Sequence, residues 1–398
     1  MILKGGQVLI DGKLETRDVL IVENEINRVS KSISGANEID VSDMLIIPGA
    51  IDPHVHLREP GFEYKETAKS ACASAAKGGI TTVLAMPNIK PAPDTRENIE
   101  YILDKIRKDV PINVYQFGSL TKGMLGQEVA DIESFIDLVP AISDDGPGTP
   151  NLETLYKGLE KAAMLNVVTS IHAEAKGLGF APEAEYKAVE DTISIVRDTG
   201  ASVHFCHLSL KKSIEYAIEA KREGLDITFE VTPHHLFLNE NDIKGNTNYK
   251  INPPLRSEED REFVEYSLIS GDALCVATDH APHSREEKAR DYDKAPCGII
   301  GVETMLPLLY TNLVLSGKIS TSRFIEITSI NAGQRFKVYN NGILSGDTAN
   351  IAVLDINNKH KYSKDENLSK GENSPFFGYE LYGFPVLTIC NGNIVYKR

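Results

Sequence analysis

The sequence predicts an α/β protein: a closed (β/α)8 TIM-type barrel with a small composite β domain built from both chain ends. Three observations point there. Short β-branched apolar runs alternate with longer segments of helical character from about residue 50 to 340. Candidate metal-ligating side chains stand just beyond several of those runs. Both ends of the chain read instead as hairpins. The expected division is residues 1–46 and 343–398 for the β domain and 47–342 for the barrel.

In chain order, Ile2–Lys4 and Gln7–Ile10 flank a glycine pair, and Val19–Val22 leads through Glu23-Asn24-Glu25 into Ile26–Val29. Eight runs then read as barrel strands: Met44–Ala50, Thr81–Ala85, Ile112–Phe117, Leu138–Ile142, Val167–Ile171, Ala201–Cys206, Asp226–Val231 and Ala273–Ala277. Between them lie helical patterns at Glu66–Lys77, Thr95–Lys108, Leu152–Leu165, Ala184–Asp198 and Lys212–Glu223. The segment Thr232–Ser257 has little periodic pattern, which in a compact barrel marks a functional loop. Ala349–Asp355, Pro385–Cys390 and Asn393–Tyr396 close the chain as strands, the last two joined by Asn391-Gly392.

Composition narrows the function. A formal net charge of −15 and the lack of a Lys/Arg-rich block disfavour nucleic acid and anionic lipid as partners. No run of eighteen apolar residues occurs, and Lys4, Asp11 and Lys13 interrupt any signal-like start, so a cytoplasmic protein is expected. Five cysteines without C-x-x-C pairing read as thiols rather than as a disulfide framework or zinc knuckle.

The chemistry begins at His54-Val55-His56. Side chains at i and i+2 of a strand share a face, so two imidazoles can meet one cation with no intervening turn. Asp144-Asp145 follows the fourth run, His172 the fifth, His207 the sixth and Asp279 the eighth. In a barrel these positions converge on one mouth. Either carboxylate of Asp144-Asp145 can serve as ligand while the other caps the following loop. Strand alternation places Val203, Phe205 and His207 on one face and His204 and Cys206 on the other. His234 or His235, after the seventh run, is the alternative fourth histidine. Nitrogen and carboxylate donors without thiolate suit Zn²⁺, with Mn²⁺ or Co²⁺ as substitutes. Four histidines and two aspartates exceed one tetrahedral ion but suit two ions about 3.5–4 Å apart, sharing a carboxylate and a hydroxide that acts as nucleophile.

These residues carry a family resemblance. Asp52-Pro53-His54-Val55-His56-Leu57-Arg58-Glu59-Pro60-Gly61, Ala85-Met86-Pro87-Asn88, Ser143-Asp144-Asp145-Gly146, His204-Phe205-Cys206-His207, Tyr249-Lys250-Ile251-Asn252-Pro253-Pro254-Leu255-Arg256 and Ala277-Thr278-Asp279-His280-Ala281-Pro282-His283 resemble the dihydroorotases of the amidohydrolase superfamily, in their bacterial type I form. The resemblance runs over nearly the whole chain. It implies reversible hydrolysis of dihydroorotate to N-carbamoyl-aspartate in pyrimidine synthesis, with two Zn²⁺ per chain. It implies His54 and His56 as ligands of one zinc, His172 and His207 of the other, Asp145 as bridge, and Asp279 as ligand and proton shuttle. Arg58, Asn88 and His283 would meet the substrate carboxylate, with His56 beside them, while Asn252 and the backbone at Cys297-Gly298 would hold the ring. A homodimer, with possible association with an aspartate transcarbamoylase, is expected. Three departures stand out: a short stretch between His172 and His207, no second acid after His172-Ala173-Glu174, and Ile89 after Asn88. The competing readings are a hydantoinase or allantoinase, which typically carries a carboxylated lysine after strand four, and a non-catalytic transcarbamoylase scaffold, which loses metal ligands.

Overall fold

A computed structural model describes residues 1–146, 148, 151–338 and 342–398. The barrel strands are Ala50–Val55, Ile80–Ala85, Asn113–Gln116 with Gly118–Ser119, Ala141–Ser143, Val168–Ile171, Val203–Phe205, Ile227–Val231 and Cys275–Val276. Neighbours pair in parallel, and a bridge from Val55 to His280 closes the ring. Ile80–Ala85 is buried throughout, as expected of a parallel strand covered on both faces. Ile51, Leu84, Phe117, Val168 and Cys206 fill the interior, closed from one end by Phe336. A larger core lies between strands and helices and includes Val83, Val203, Phe205, Leu155 and Ile214.

The helices begin where local chemistry satisfies their first amides. Thr67 and Ser70 form a capping box on Ala68–Lys77, Thr95 caps Arg96–Ile106, and Asn151 caps Leu152–Met164. Pro182–Thr199 ends on the left-handed Gly200, and Lys211–Arg222 follows the sixth strand. All five match the helical patterns of the sequence closely. Among the described residues no helix is long and apolar enough to cross a membrane.

Both chain ends join one sheet, in the order 393–397, 384–390, 351–355, 45–48, 2–10, 13–22 and 25–30, with 38–40 beside 2–10. Its core is Leu3, Val8, Val19, Ile21, Ile46, Val353 and Ile389. Two sequence expectations change here. Ile2–Ile10 is one strand bulged between Leu3 and Gly6, and its hairpin turns at Asp11-Gly12, because the glycine pair loosens the pairing without reversing the chain. The run Met44–Ala50 also divides. Leu45–Pro48 pairs with 2–10 and 351–355 in the terminal sheet, and the barrel strand begins at Ala50. The expected junction between residues 46 and 47 falls within Leu45–Pro48.

Candidate metal centre and substrate cavity

The first strand brings His54 and His56 to the barrel mouth with ring centroids 5.3 Å apart. Asp52 ties this strand to the eighth by accepting from the amide of Thr278 at 3.0 Å and its hydroxyl at 2.5 Å. His54 Nδ1 faces Glu230 Oε1 at 2.7 Å and His56 Nδ1 faces Asn88 Oδ1 at 2.9 Å. Each partner accepts the Nδ1 proton and leaves Nε2 for the site. Glu174 does the corresponding work for His172, meeting its Nε2 at 3.0 Å, so that Nδ1 faces inward.

Asp145 lies between the two histidine pairs. Its Oδ1 is 3.6 Å from His54 Nε2, 3.4 Å from His172 Nδ1 and 3.7 Å from His207 Nε2, and its Oδ2 is 3.6 Å from His56 Nε2. Asp279 Oδ1 stands 2.9 Å from His56 Nε2 and 3.5 Å from His54 Nε2. Tetrahedral zinc with bonds of about 2.0–2.1 Å places its ligand atoms about 3.4 Å apart, which is the spacing of these donors. Two potential triads, His54–His56–Asp145 and Asp145–His172–His207, share one carboxylate. His54 Nε2 and Asp145 Oδ1 are buried without a hydrogen-bond partner, a cost that cation binding removes. The residues therefore fit divalent metal. Burial favours a neutral Asp145, yet His54, His172 and His207 hold its carboxyl well below the usual range. Asp279 is likewise lowered against burial, by His56 and His54.

The alternatives left open by the sequence occupy different places. Asp144 turns away, accepting from both the amide and the hydroxyl of Thr121. His204 lies in the barrel interior between Thr228 and Glu230. His235 bonds Thr232 and the carbonyl of Pro253, anchoring the Asn252 loop, and His234 joins neither triad. His207 reaches the mouth by a different route from the one alternation implies. Val203 and Phe205 pack outward, and the strand ends at Phe205. His207 then adopts φ +30°, reversing its direction. Arg58 and Asp279 share this rare backbone region at φ +62° and +46°. Strained turns thus aim three polar side chains at one place.

All the expected substrate contacts, His56, Arg58, Asn88, Asn252, His283, Cys297 and Gly298, line one cavity with Asp145, His172, His207 and Asp279. Its volume, about 210 Å³, is below the roughly 300–1,000 Å³ of sites for drug-sized ligands and suits one small ring. Arg58 donates from Nε to the Pro282 carbonyl at 3.2 Å, and among the described residues no carboxylate forms an ion pair with it. Burial, with Arg58 and Lys65 nearby, keeps the His283 imidazole neutral, its Nε2 2.8 Å from the Cys297 carbonyl. Asn252 Nδ2 donates to Glu174 at 2.6 Å. Gly298 donates to the Lys250 carbonyl and accepts from Lys288 and Asn373, so its backbone groups already have partners.

Glu230 and Glu174 are the residues whose part the sequence left unread. A carboxylate inside the apolar stretch Ile227-Thr228-Phe229-Glu230-Val231 was the available signal, since a fully buried charge needs partners. Of the three departures, Ile89 is simply buried in the core. The short stretch runs from Glu174 through Ala181 directly into Pro182–Thr199, with the Phe180 carbonyl held by Arg256.

Barrel, mouth and histidine–aspartate donors together fit the metal site of a hydrolase, and the chain belongs to the amidohydrolase family, whose profile matches residues 45–395. Within that family it falls among the dihydroorotases. It is 38% identical to the dihydroorotase of Staphylococcus aureus strain MRSA252 over 419 aligned residues, covering 100% of this chain and 99% of that one. It is also 38% identical to the dihydroorotase of Staphylococcus epidermidis strain ATCC 12228, with the same coverage. The L-hydantoinase of Arthrobacter aurescens shares the fold with a TM-score of 0.90 at 23% identity, covering 100% of this chain and 96% of that one.

Proposed function

We propose that the chain is a dihydroorotase that hydrolyses (S)-dihydroorotate reversibly to N-carbamoyl-L-aspartate, holding two Zn²⁺ at the mouth of the barrel. The observation that carries the reading is Arg58, a guanidinium without a carboxylate partner among the described residues, on the wall of a ring-sized cavity that also holds the donor cluster. A planar guanidinium grips a carboxylate through two parallel hydrogen bonds, and dihydroorotate carries that carboxylate where hydantoin does not. Full-length similarity to dihydroorotases supports the same reading.

His54, His56 and Asp279 would hold one ion and His172 and His207 the other, with Asp145 common to both. The pair would polarise the ring carbonyl and provide a nucleophile at neutral pH. Asp279 is ionised, takes the proton released as the carbonyl carbon gains oxygen, and returns it to the ring nitrogen as the C–N bond breaks. Arg58, Asn88 and His283 orient the carboxylate, and Asn252 and the Cys297 backbone border the ring. Because Asp145 is already an anion, sharing it needs no carbon dioxide adduct of the kind a lysine requires. On the family resemblance, the protein acts in the cytoplasm as a homodimer able to associate with an aspartate transcarbamoylase.

The test is ring opening by the zinc-loaded chain, with dihydroorotate compared against hydantoin and allantoin. The carboxylate grip implies a preference in kcat/KM of at least about 10–100-fold, the worth of one charge-assisted contact. Equal turnover of a ring lacking the carboxylate overturns the reading.

A further inference from the structure

One wall of the cavity is built outside the barrel strands. His280 bridges Ile299, and the Ala281 amide donates to the Ile299 carbonyl at 2.8 Å, so residues 280–283 run beside 297–300. Gly298, at φ +147°, permits this approach, since a Cβ there would lie 2.5 Å from the Ala281 oxygen. A segment from the far C-terminal part of the chain straps the two runs together. Asn373 is 1% exposed. Its Oδ1 accepts the His283 amide at 3.1 Å, while Nδ2 donates to the carbonyls of Ala281 at 3.0 Å and Gly298 at 2.9 Å. Its own carbonyl accepts from Ile300 at 3.0 Å.

The strap is itself anchored. The Ser369 hydroxyl and Lys370 amide bond the fully buried Glu66, and the Leu368 amide donates to Glu303 at 2.8 Å. The backbone at Gly371 touches Pro282, where a Cβ would come within 2.7 Å.

We propose that Asn373 is a positioning residue for substrate, a role that rests on reading this cavity as the dihydroorotate site. The side-chain amide sets the His283 backbone and, through the 281–283 run, the Pro282 carbonyl that anchors Arg58 Nε. It also fixes Gly298, next to the Cys297 carbonyl that meets His283 Nε2. The metal donors other than Asp279 come from other strands. Asn373 therefore acts on the ring and its carboxylate, leaving the donor cluster in place.

Asn373→Asp keeps the acceptor for His283 and the side-chain volume but replaces both donors with a carboxylate facing two carbonyls. In the zinc-loaded full chain it should raise KM for dihydroorotate by about 10-fold or more, the scale of lost hydrogen bonds with buried groups left unpaired. kcat at saturation should stay within about 3-fold and metal content should be unchanged. Amide hydrogen exchange across residues 280–300 should quicken. Ser369→Ala, which weakens the strap without touching either run, should lower Tm and leave KM as it was. If Asn373→Asp does not fold, Asn373→Ser is measured in the same way. An unchanged KM, or an equal rise in KM in Ser369→Ala, overturns the positioning role. Unchanged exchange across 280–300 overturns the clamp itself, whatever ring the site takes, whereas a wild-type chain inert toward dihydroorotate overturns the substrate reading alone.

Discussion

Glu230→Gln removes one negative charge from beneath the donor cluster while leaving an oxygen almost in place. Glu230 Oε1 lies 2.7 Å from His54 Nδ1 and Oε2 lies 3.2 Å from His204 Nε2. The His207 amide also points at Oε1, at 3.4 Å. Burial pushes this carboxyl up, but His54 and His204 bring it down to about 2, so it is charged throughout the working range. A hydrogen bond to a charged acceptor is worth about 1.5–3 kcal/mol and a neutral one about 0.5–1.5 kcal/mol. The difference, about 1–2 kcal/mol, is about 5–30-fold in metal affinity. That agrees with the roughly 10–100-fold effect of removing a carboxylate behind a ligating imidazole. The assay is zinc titration of the metal-free protein against a competing chelator, with thermal unfolding of both forms. Affinity should fall by about 10–30-fold, and activity should return at saturating zinc. Affinity within about twofold of wild type would show that His54 is oriented and charged by something other than Glu230.

Asp279→Asn keeps the size but cannot shuttle a proton, so kcat for dihydroorotate should drop by about 10²–10⁴ with the fold intact by circular dichroism; near-normal turnover would assign the proton transfer elsewhere. Asp145→Ala should lose bound zinc by elemental analysis, whereas Asp144→Ala, which strands the Thr121 amide and hydroxyl, should keep its metal and lose about 1–3 kcal/mol of stability in denaturant. The reverse pattern would exchange their roles. Lys288 is buried with its ammonium on the carbonyls of Pro296 and Gly298, and burial lowers its pKa to about 8. Between about pH 8 and 10.5 the folded chain has shed a proton that the unfolded chain retains, so this group makes stability rise with pH by up to about 3 kcal/mol. Denaturant midpoints measured across that window should show the rise in the wild type and lack it in Lys288→Met, and identical slopes would contradict it.

Local pattern in the sequence determined much of this protein. Apolar runs such as Thr81–Ala85 and Asp226–Val231 and the capped helices between them are set by short-range periodicity, and they specify a barrel before any contact is known. The position of His54 and His56 at the end of the first strand, and of His172 and Asp279 just beyond the fifth and eighth, already brings them to one mouth. Tertiary structure decided what depends on partners distant in the chain. Leu45–Pro48 joined the terminal sheet because 2–10 and 351–355 offered it edges. Asp145 faces the histidines because Thr121 occupies Asp144. His207 turns inward only through a left-handed residue that alternation does not foresee, while His235 is taken by Thr232 and Pro253. Glu230 and Asn373 acquire their meaning from groups 176 and 90 residues away. A residue's periodicity tells whether it is buried, but the partner that satisfies its buried polar atoms is chosen by the packing of the whole chain.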